Sequence, residues 1–429
     1  MEREKLLNPS VDPRCQNNPN FTAKMWMGLF IASFLIRALF GIYGLEIDRP
    51  FEGDEGGFHW RAVKILEGSL GQRAHREPLT AVAIVPAYSI FGATAEVGRW
   101  MMILISSLGA PLVFSLGSKI SGNQMVGSIS GIYWAVYPPS IFYTAFVYTE
   151  TLSAVLILLS LICYFWAART EKIMPAFLTG LVWGCLALNR ATFLLLPFFL
   201  MFSAIVFGRF LPFSTRFTSR QWISAIALFC LTLTPWVIHT YSLYGTFMPH
   251  NTRGGWTLLI SNGNLDAPMV KKGGYSRDEE YNLSELDPRP NNLVIDNIRR
   301  EMAIERITDH LKNRLGDYAL VIGNRIKNFW SWRPDPYDEG WTRNDSVMLV
   351  FWAPVVIGLL ISLAFVRWAQ VWPVFAVSGY SFLVVLPFWS TPRFRFPIDA
   401  LLVIIAVWTY FNFSKRARRS STQEESVVK

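Results

Sequence analysis

An acidic pair, Asp54-Glu55, lies just after the first apolar stretch of the chain, within the run GDEGGFHW. Like charges that are adjacent and partly buried raise a carboxyl pKa toward the range useful for a general base. We therefore predict that Asp54 or Glu55 removes a proton from a hydroxyl group, and that His59 helps to position the reacting group. An exposed acidic loop is the plainer interpretation of the same residues.

Arginines and one further glutamate lie near the ends of other apolar stretches, and we place all but one of them at the same membrane face as the acidic pair. Arginine forks match phosphate oxygens, so this group predicts a site for a phosphate-bearing substrate. The predicted phosphate-binding residues are Arg393, Arg395, Arg99 and Arg190. Glu150, and Arg37 midway along the first apolar stretch, are predicted to position the substrate or an arginine. Snorkelling toward lipid headgroups is the alternative for each single arginine.

The composition indicates what kind of element must hold these residues. Of 429 residues, 52% are hydrophobic and 17% are charged, whereas soluble proteins are about 25% charged. A disordered chain, a disulfide scaffold and most soluble enzymes are therefore excluded. The four cysteines and five histidines show no metal-ligand spacing, so no metal site is predicted and no cofactor is required, although a divalent metal is left open.

Apolar stretches of about 20 residues can cross a bilayer, and they predict an all-α polytopic membrane protein with about ten transmembrane helices. The stretches are residues 25–45, 98–118, 125–143, 150–168, 173–189, 191–208, 222–243, 347–366, 371–388 and 397–413. Residues 79–93 are also apolar, but they are short and contain Pro86. We predict a juxtamembrane helix in that position.

Lys and Arg near the ends of the stretches predict their direction across the membrane. Basic connections alternate with connections such as 144–149 that have no basic residue, so both termini are predicted to be cytoplasmic. The net charge of +9 is then largely a topology signal, and a nucleic-acid partner is not expected. The predicted segments are a cytoplasmic tail 1–24, a transmembrane catalytic module 25–243 with outer loop 46–97, a large outer loop 244–346, transmembrane helices 347–413 and a basic tail 414–429.

The large outer loop is predicted to be helical. Apolar residues recur at intervals of four or five from Val294 to Leu315, which is typical of an amphipathic helix. Tryptophans before the next span are predicted to anchor at the headgroup level, with an acceptor groove as the alternative. The Gly- and Asn-containing residues 250–264 predict tight turns, with sugar binding as the alternative.

A series of short motifs runs in order through residues 25–413: GDEGGFHWRAVKILEG, HREPLTAVAIVPAYSIFG, GRW, YPPSIFYTAFVYTETL, ALNRATFLLLP, TPWVIHTYSLYGTF and RFRFPID. This series resembles the GT-C glycosyltransferases, in the branch of the protein O-mannosyltransferases and lipid A aminoarabinose transferases. The resemblance implies family carboxylates at Asp54, Glu55 and Glu150 and an Arg-x-Arg-x-Pro element at Arg393 and Arg395. It also implies an integral membrane protein, in the first place of a bacterial cytoplasmic membrane with the active site facing outward, and with the lumenal face of the endoplasmic reticulum as the alternative.

The activity implied by this resemblance moves a sugar from a polyprenyl-phosphate carrier to a protein, lipid or glycan acceptor. Such a donor needs cations for the phosphate leaving group and one base for the acceptor, not the pair of carboxyl groups that flanks an ordinary glycosidic bond. Attack from the opposite face would invert the anomeric centre. Two other functions stay open, namely a transporter or flippase for a lipid-linked sugar and a non-catalytic membrane scaffold.

Overall fold

The computed structural model describes residues 19–277, 292–338 and 340–427, with side chains described up to residue 416. The chain is 78% helical, and its described part contains no strand, so the predicted all-α fold is confirmed. Residues 1–18 of the predicted N-terminal tail lie outside the described residues. The helices are α1 (Pro19–Gly44), α2 (Glu55–Leu66), α3 (Leu79–Phe91), α4 (Ala95–Ser107), α5 (Gly109–Ser121), α6 (Gln124–Val136), α7 (Thr149–Thr170), α8 (Ile173–Asn189), α9 (Leu196–Val206), α10 (Ser219–Tyr244), α11 (Gly254–Asn262), α12 (Asn292–Asn313), α13 (Leu315–Phe329), α14 (Arg343–Phe365), α15 (Trp372–Val385) and α16 (Pro392–Val427).

Local sequence signals begin and end several of these helices. Thr218 caps α10 by accepting a hydrogen bond from the Gln221 N–H, and the Gln221 side chain accepts one from the Thr218 N–H in return. This reciprocal capping satisfies two backbone donors that would otherwise be free at a helix start. Helix α6 ends at Val136, just before Pro138 and Pro139, since proline lacks the N–H that continues a helix.

Among the described residues, six helical segments are long and apolar enough to span a membrane, fewer than the ten stretches predicted. They are Pro19–Gly44, Ala95–Ser121, Thr149–Thr170, Phe213–Tyr244, Arg343–Phe365 and Pro392–Arg416. Three predicted spans form shorter apolar helices: α8, α9 and α15. The predicted span 125–143 is interrupted at Val136, where its helix of 13 residues ends. A helix of that length is about 20 Å long, which is too short to cross a hydrocarbon core of about 30 Å. The predicted juxtamembrane helix at 79–93 is present as α3.

The predicted helical segment 244–346 contains α11, α12 and α13, and α11 packs against α12. Helix α16 is the central element of the bundle because it packs against α6, α7, α14 and α15. Most residues of its apolar stretch are buried in the protein, whereas only about a fifth of those of α14 are buried. The first turn of α16 lies inside the fold, beside the start of α7 and the end of α8.

Close packing of α8 against α10 predicts a sharp effect of one glycine substitution. A Cβ at Gly180 would lie 2.0 Å from the Ala225 carbonyl oxygen, whereas a Cβ at Gly28 of α1 would meet nothing within 4 Å. We expect Gly180→Ala to destabilise the protein by about 1–3 kcal/mol through overpacking. Gly28→Ala, the matched control, should be neutral or slightly stabilising because alanine favours helix. Thermal unfolding in detergent measures both, and equal melting temperatures would contradict the packing described.

Candidate functional site

Asp54 lies directly before α2, where Gly53 takes a positive φ of 56° and turns the chain. Its carboxylate is one-third exposed and contacts three arginines from distant parts of the sequence. Arg76 lies 2.6 Å away, Arg393 3.5 Å and Arg253 3.8 Å. Asp54 is thus an accessible acid held by cations on several sides.

Glu150 lies in the first turn of α7 and is almost fully buried. Arg393 Nε and Nη2 donate to its two oxygens at 2.7 and 3.3 Å, and Arg190 Nη1 donates at 3.3 Å. Because Nη2 of Arg393 also reaches Asp54, this guanidinium joins the two carboxylates. It also stacks over the Tyr148 ring, 4.1 Å from the centroid. Four predicted site residues, Asp54, Glu150, Arg190 and Arg393, are therefore brought together.

Asp54, Arg190 and Arg393 border a cavity of about 370 Å³, which we call the Asp54 cavity. Four arginines and two carboxylates line it: Arg76, Arg190, Arg253, Arg393, Asp54 and Glu77. An apolar wall formed by α15, the turn after it and the start of α16 faces these charges, with Val384, Val385, Phe388, Trp389 and Phe394. A cavity of this kind can hold an anion on one side and an apolar chain on the other.

Glu77 is not among the residues predicted from the sequence, but it holds two arginine-bearing turns in place. Its Oε1 accepts hydrogen bonds from the Ala191 N–H at 2.8 Å and from the Asn251 amide at 2.7 Å. Ala191 follows Arg190, and the Asn251 side chain accepts from the Arg253 N–H at 2.9 Å. Burial raises the pKa of Glu77, although these hydrogen bonds and Arg190 act against the rise. A single buried carboxyl group thus fixes the backbone beside two of the four arginines.

Glu55 forms a separate and fully buried pair with Arg99. Arg99 Nε and Nη2 donate to the two Glu55 oxygens at 3.2 and 3.0 Å, and the Val147 N–H donates to Oε1 at 3.0 Å. Arg99 also donates to the carbonyl oxygens of residues 47, 49 and 50. The donors of Arg99 are thus used within the protein, and the pair holds the start of the first predicted outer loop against α4.

The remaining predicted residues, Arg395, Arg37 and His59, lie outside the Asp54 cavity. Arg395 is buried, pairs with Asp399 at 2.8 Å and donates to the carbonyl oxygens of Phe329 and Ser331. Arg37 donates to the hydroxyl groups of three serines of α1, α4 and the turn after α6: Ser33, Ser106 and Ser140. His59 Nδ1 lies 3.0 Å from the Tyr88 hydroxyl. These contacts connect helices to one another.

The carboxylates of the Asp54 cavity, Asp54 and Glu77, are bound by arginine, amide and backbone N–H donors. Across the described ranges, no three His, Cys, Asp or Glu side chains converge as metal ligands would. The Arg393 guanidinium contacts both Asp54 and Glu150. Divalent cations require several oxygen or nitrogen ligands free of competing positive charge.

The arginines around Asp54 predict how its contribution to stability varies with pH. Burial alone would raise the pKa of Asp54, but the hydrogen bond from Arg76 and the charges of Arg76, Arg393 and Arg253 lower it from 3.8 to about 2. The ionised group therefore stabilises the folded state above about pH 4, and this contribution is lost as the pH falls toward 2. The difference in melting temperature between the wild type and Asp54→Asn should be constant above pH 4 and shrink below it. A difference that grows on acidification would contradict this.

The hydrogen bonds of Glu77 predict that two substitutions of this residue differ in their effect on the stability of the protein. Glu77→Ala leaves two partly buried donors without an acceptor, so we expect a loss of about 1–2 kcal/mol in the free energy of unfolding. Glu77→Gln keeps the oxygen that accepts both bonds and removes the buried charge, so stability at neutral pH should be unchanged or higher. Thermal unfolding in detergent at pH 7 measures both variants. Equal destabilisation by the two would show that the charge, and not the acceptor, matters.

No protein-family model matches the chain, and no curated protein gives a significant sequence match. Solved structures do resemble its fold. The archaeal oligosaccharyltransferase AglB from Archaeoglobus fulgidus, in complex with an inhibitory peptide and a dolichol-phosphate, is 13% identical with a TM-score of 0.56, over 94% of this chain and 52% of that one. An Archaeoglobus fulgidus oligosaccharyltransferase in complex with Zn and sulfate is also 13% identical, with a TM-score of 0.55 over 93% and 51% of the two chains. ArnT from Cupriavidus metallidurans bound to undecaprenyl phosphate is 11% identical, with a TM-score of 0.41 over 91% and 78%.

This chain spans about half the length of the oligosaccharyltransferase structures that it matches. At this level of identity the similarity concerns the fold, and it extends over nearly all of this chain. The fold predicted from the motifs is thereby confirmed: the protein is an integral membrane protein whose fold is that of the archaeal oligosaccharyltransferase structures.

Proposed function

We propose that the protein is a membrane glycosyltransferase that moves a sugar from a polyprenyl-phosphate carrier to an acceptor on the outer face of the membrane. The Arg393 guanidinium, held by Glu150 and Asp54 beside a cavity with one cationic and one apolar side, carries this proposal. Neighbours of the same fold were solved with a dolichol-phosphate or with sulfate. Arginine-rich cavities with an apolar wall suit a phosphate group that is attached to a lipid chain.

The donor phosphate would bind Arg393, with Arg190, Arg76 and Arg253 near it. Among the arginines predicted from the sequence, Arg393 and Arg190 line the cavity. Arg99 instead binds Glu55 and loop carbonyl oxygens, and Arg395 binds Asp399 and lies outside this cavity. The lipid chain would run along the wall formed by α15 and the turn that follows it. Cations at the phosphate stabilise the negative charge that develops as the bond between the anomeric carbon and the phosphate oxygen breaks.

Asp54 is the proposed base because it is one-third exposed and lines the cavity, whereas Glu55 is fully buried and bound by Arg99. In the donor-free protein the arginines make Asp54 a weak base. A bound phosphate would draw Arg76 and Arg393 toward itself, so the pKa of Asp54 would rise once the donor is in place. Asp54 then takes the proton of the acceptor hydroxyl while that oxygen attacks the anomeric carbon, with inversion.

The proposed site draws on all the predicted membrane and outer-loop segments. Asp54, Glu77, Glu150 and Arg190 belong to residues 25–243, Arg253 to the segment 244–346, and Arg393 to the C-terminal helices. We therefore propose that the predicted catalytic module 25–243 acts together with the two later segments. Glu150 keeps Arg393 oriented toward the phosphate, and Arg37 and His59 act only through the packing of helices.

Transfer in detergent tests this proposal. Purified protein is given an undecaprenyl-phosphoryl sugar and solubilised cell envelope as the source of acceptor, and the labelled product is analysed for anomeric configuration. We expect Asp54→Asn to lower kcat by about 100-fold or more, as for loss of a general base, with donor binding changed by about twofold or less. Arg393→Gln should instead weaken donor binding. Glu52→Gln, which removes an exposed carboxylate of the same loop, is the matched control.

Three outcomes would count against this proposal. Full activity of Asp54→Asn would reject the base assignment, and a product with retained configuration would reject the single displacement. Movement of the donor across sealed vesicles, without any transfer in detergent, would favour the alternative of a transporter or flippase.

A further inference from the structure

A second, larger cavity of about 770 Å³ lies beside the Asp54 cavity, between α2 and the segment 67–76. We call it the Arg73 cavity. Arg76 lines both cavities and its guanidinium binds Asp54, so a single side chain links the Arg73 cavity to the proposed base.

The charge of the Arg73 cavity is strongly positive. Its basic residues are Arg61, Lys64, Arg73 and Arg76. Among its described lining residues, Glu67 supplies the one carboxylate, and that group is bound by Lys64 at 2.5 Å. Partial burial and the charges of Arg253, Arg76, Arg61 and Arg73 lower the pKa of His75 to about 4, as expected where positive charge is concentrated. This surplus favours an anionic ligand.

An aromatic side chain forms part of the same wall. Trp60 of α2 lines the cavity and is 44% exposed. Gly71 packs against it: the residue has a φ of 85°, and a Cβ there would lie 3.2 Å from the indole ring. An exposed tryptophan beside polar groups offers a flat apolar surface, on which the apolar face of a sugar ring can pack. The polar groups Gln72 and Asn292 lie around it.

Buried contacts hold the wall in shape. Arg61 Nη2 donates to the Arg73 carbonyl oxygen at 2.8 Å, and the Arg61 guanidinium lies 5.4 Å from the ring centroid of Trp236 in α10. The Ala74 N–H donates to the Tyr244 hydroxyl at 3.1 Å, and the Ala74 carbonyl accepts from the Thr252 N–H at 2.9 Å. The segment that carries Arg73 is therefore fixed against the membrane bundle, and a ligand would meet a preformed surface.

We propose that the Arg73 cavity is the acceptor subsite and that the acceptor is an acidic glycan. Cationic groups bind its carboxylate or phosphate groups, Trp60 packs on a sugar ring, and Arg76 joins the subsite to Asp54. The ligand's role as an acceptor rests on the proposed transferase function. The donor and the acceptor then approach Asp54 from different sides. The donor lies along the apolar wall of the Asp54 cavity, and the acceptor lies in the polar, cationic Arg73 cavity.

Binding of a matched pair of sugars tests the subsite. The probes are an oligogalacturonate and the same oligosaccharide with its carboxylates methyl-esterified, titrated into the full-length protein in detergent at low salt. We expect the acid to bind more tightly than the ester, and its binding to weaken as salt rises because exposed charges are screened. Arg73→Gln should weaken binding of the acid about fivefold and leave the ester unchanged, as for loss of one exposed charge contact. Trp60→Ala should weaken both probes.

Lys312→Gln, which removes an exposed positive charge on α12 outside both cavities, controls for the change in net charge. Equal affinity for the acid and the ester, or no effect of Arg73→Gln, would overturn the subsite. Tighter binding of an acidic peptide of the same charge would overturn the assignment to a glycan. Binding of undecaprenyl phosphate is measured in the same samples and should not change in Arg73→Gln. A protein that prefers the acid but never transfers sugar would overturn the transferase function and leave the anionic sugar site intact.

Discussion

The guanidinium of Arg393, placed between Glu150 and Asp54, is the contact on which the rest of the site depends. It joins the start of α16 to the start of α7 and to the loop before α2, which are far apart in the sequence. A charge removed from water is costly unless it is paired and hydrogen-bonded. Glu150 is almost fully buried, so its two arginines are required to keep it ionised where it lies. Asp54 remains one-third exposed to the cavity although three arginines contact its carboxylate.

Two further buried pairs support this contact without taking part in it. Glu55 and Arg99 tie the first predicted outer loop to α4, and Arg395 and Asp399 tie α16 to the end of α13. Glu55 and Arg395 each lie within two residues of a site residue, Asp54 or Arg393, but they stabilise the fold instead of lining the Asp54 cavity. Residues two apart on an α-helix are separated by about 200° around its axis, so Arg393 and Arg395 cannot face the same cavity. The anchoring pairs hold the backbone still while Asp54 and Arg393 face the opening.

The two cavities differ in a way that matches the two kinds of substrate proposed. The Asp54 cavity has an apolar wall from α15 and the turn after it, whereas the Arg73 cavity is bounded by α2 and the polar segment 67–76. The first wall suits a lipid, and the second suits a hydrophilic anion. Arg76 belongs to both and binds Asp54. A glycosyltransferase with a lipid-linked donor needs this separation, since the two ligands must meet at one base without sharing a binding surface.

The amino-acid sequence by itself determined the class of the protein. Its apolar stretches and low charge predicted a helical membrane protein, and the ordered motifs predicted the GT-C fold, because hydrophobic burial and local helix signals act over short distances along the chain. It also identified Asp54, Glu150, Arg190 and Arg393 as candidates. The number of full-length spans was predicted less well. Pro138 and Pro139 end α6 through a local signal that the apolar count overlooked, and the short helices α8, α9 and α15 depend on packing partners.

Only the tertiary structure decided which of two neighbouring acids and which of two neighbouring arginines face the cavity, because that choice depends on contacts such as Arg393 with Glu150 across 243 positions of sequence. It also added Arg76, Glu77 and Arg253, which stand in runs without a periodic or spacing signal. Their importance arises from distances in space, which a linear sequence does not contain.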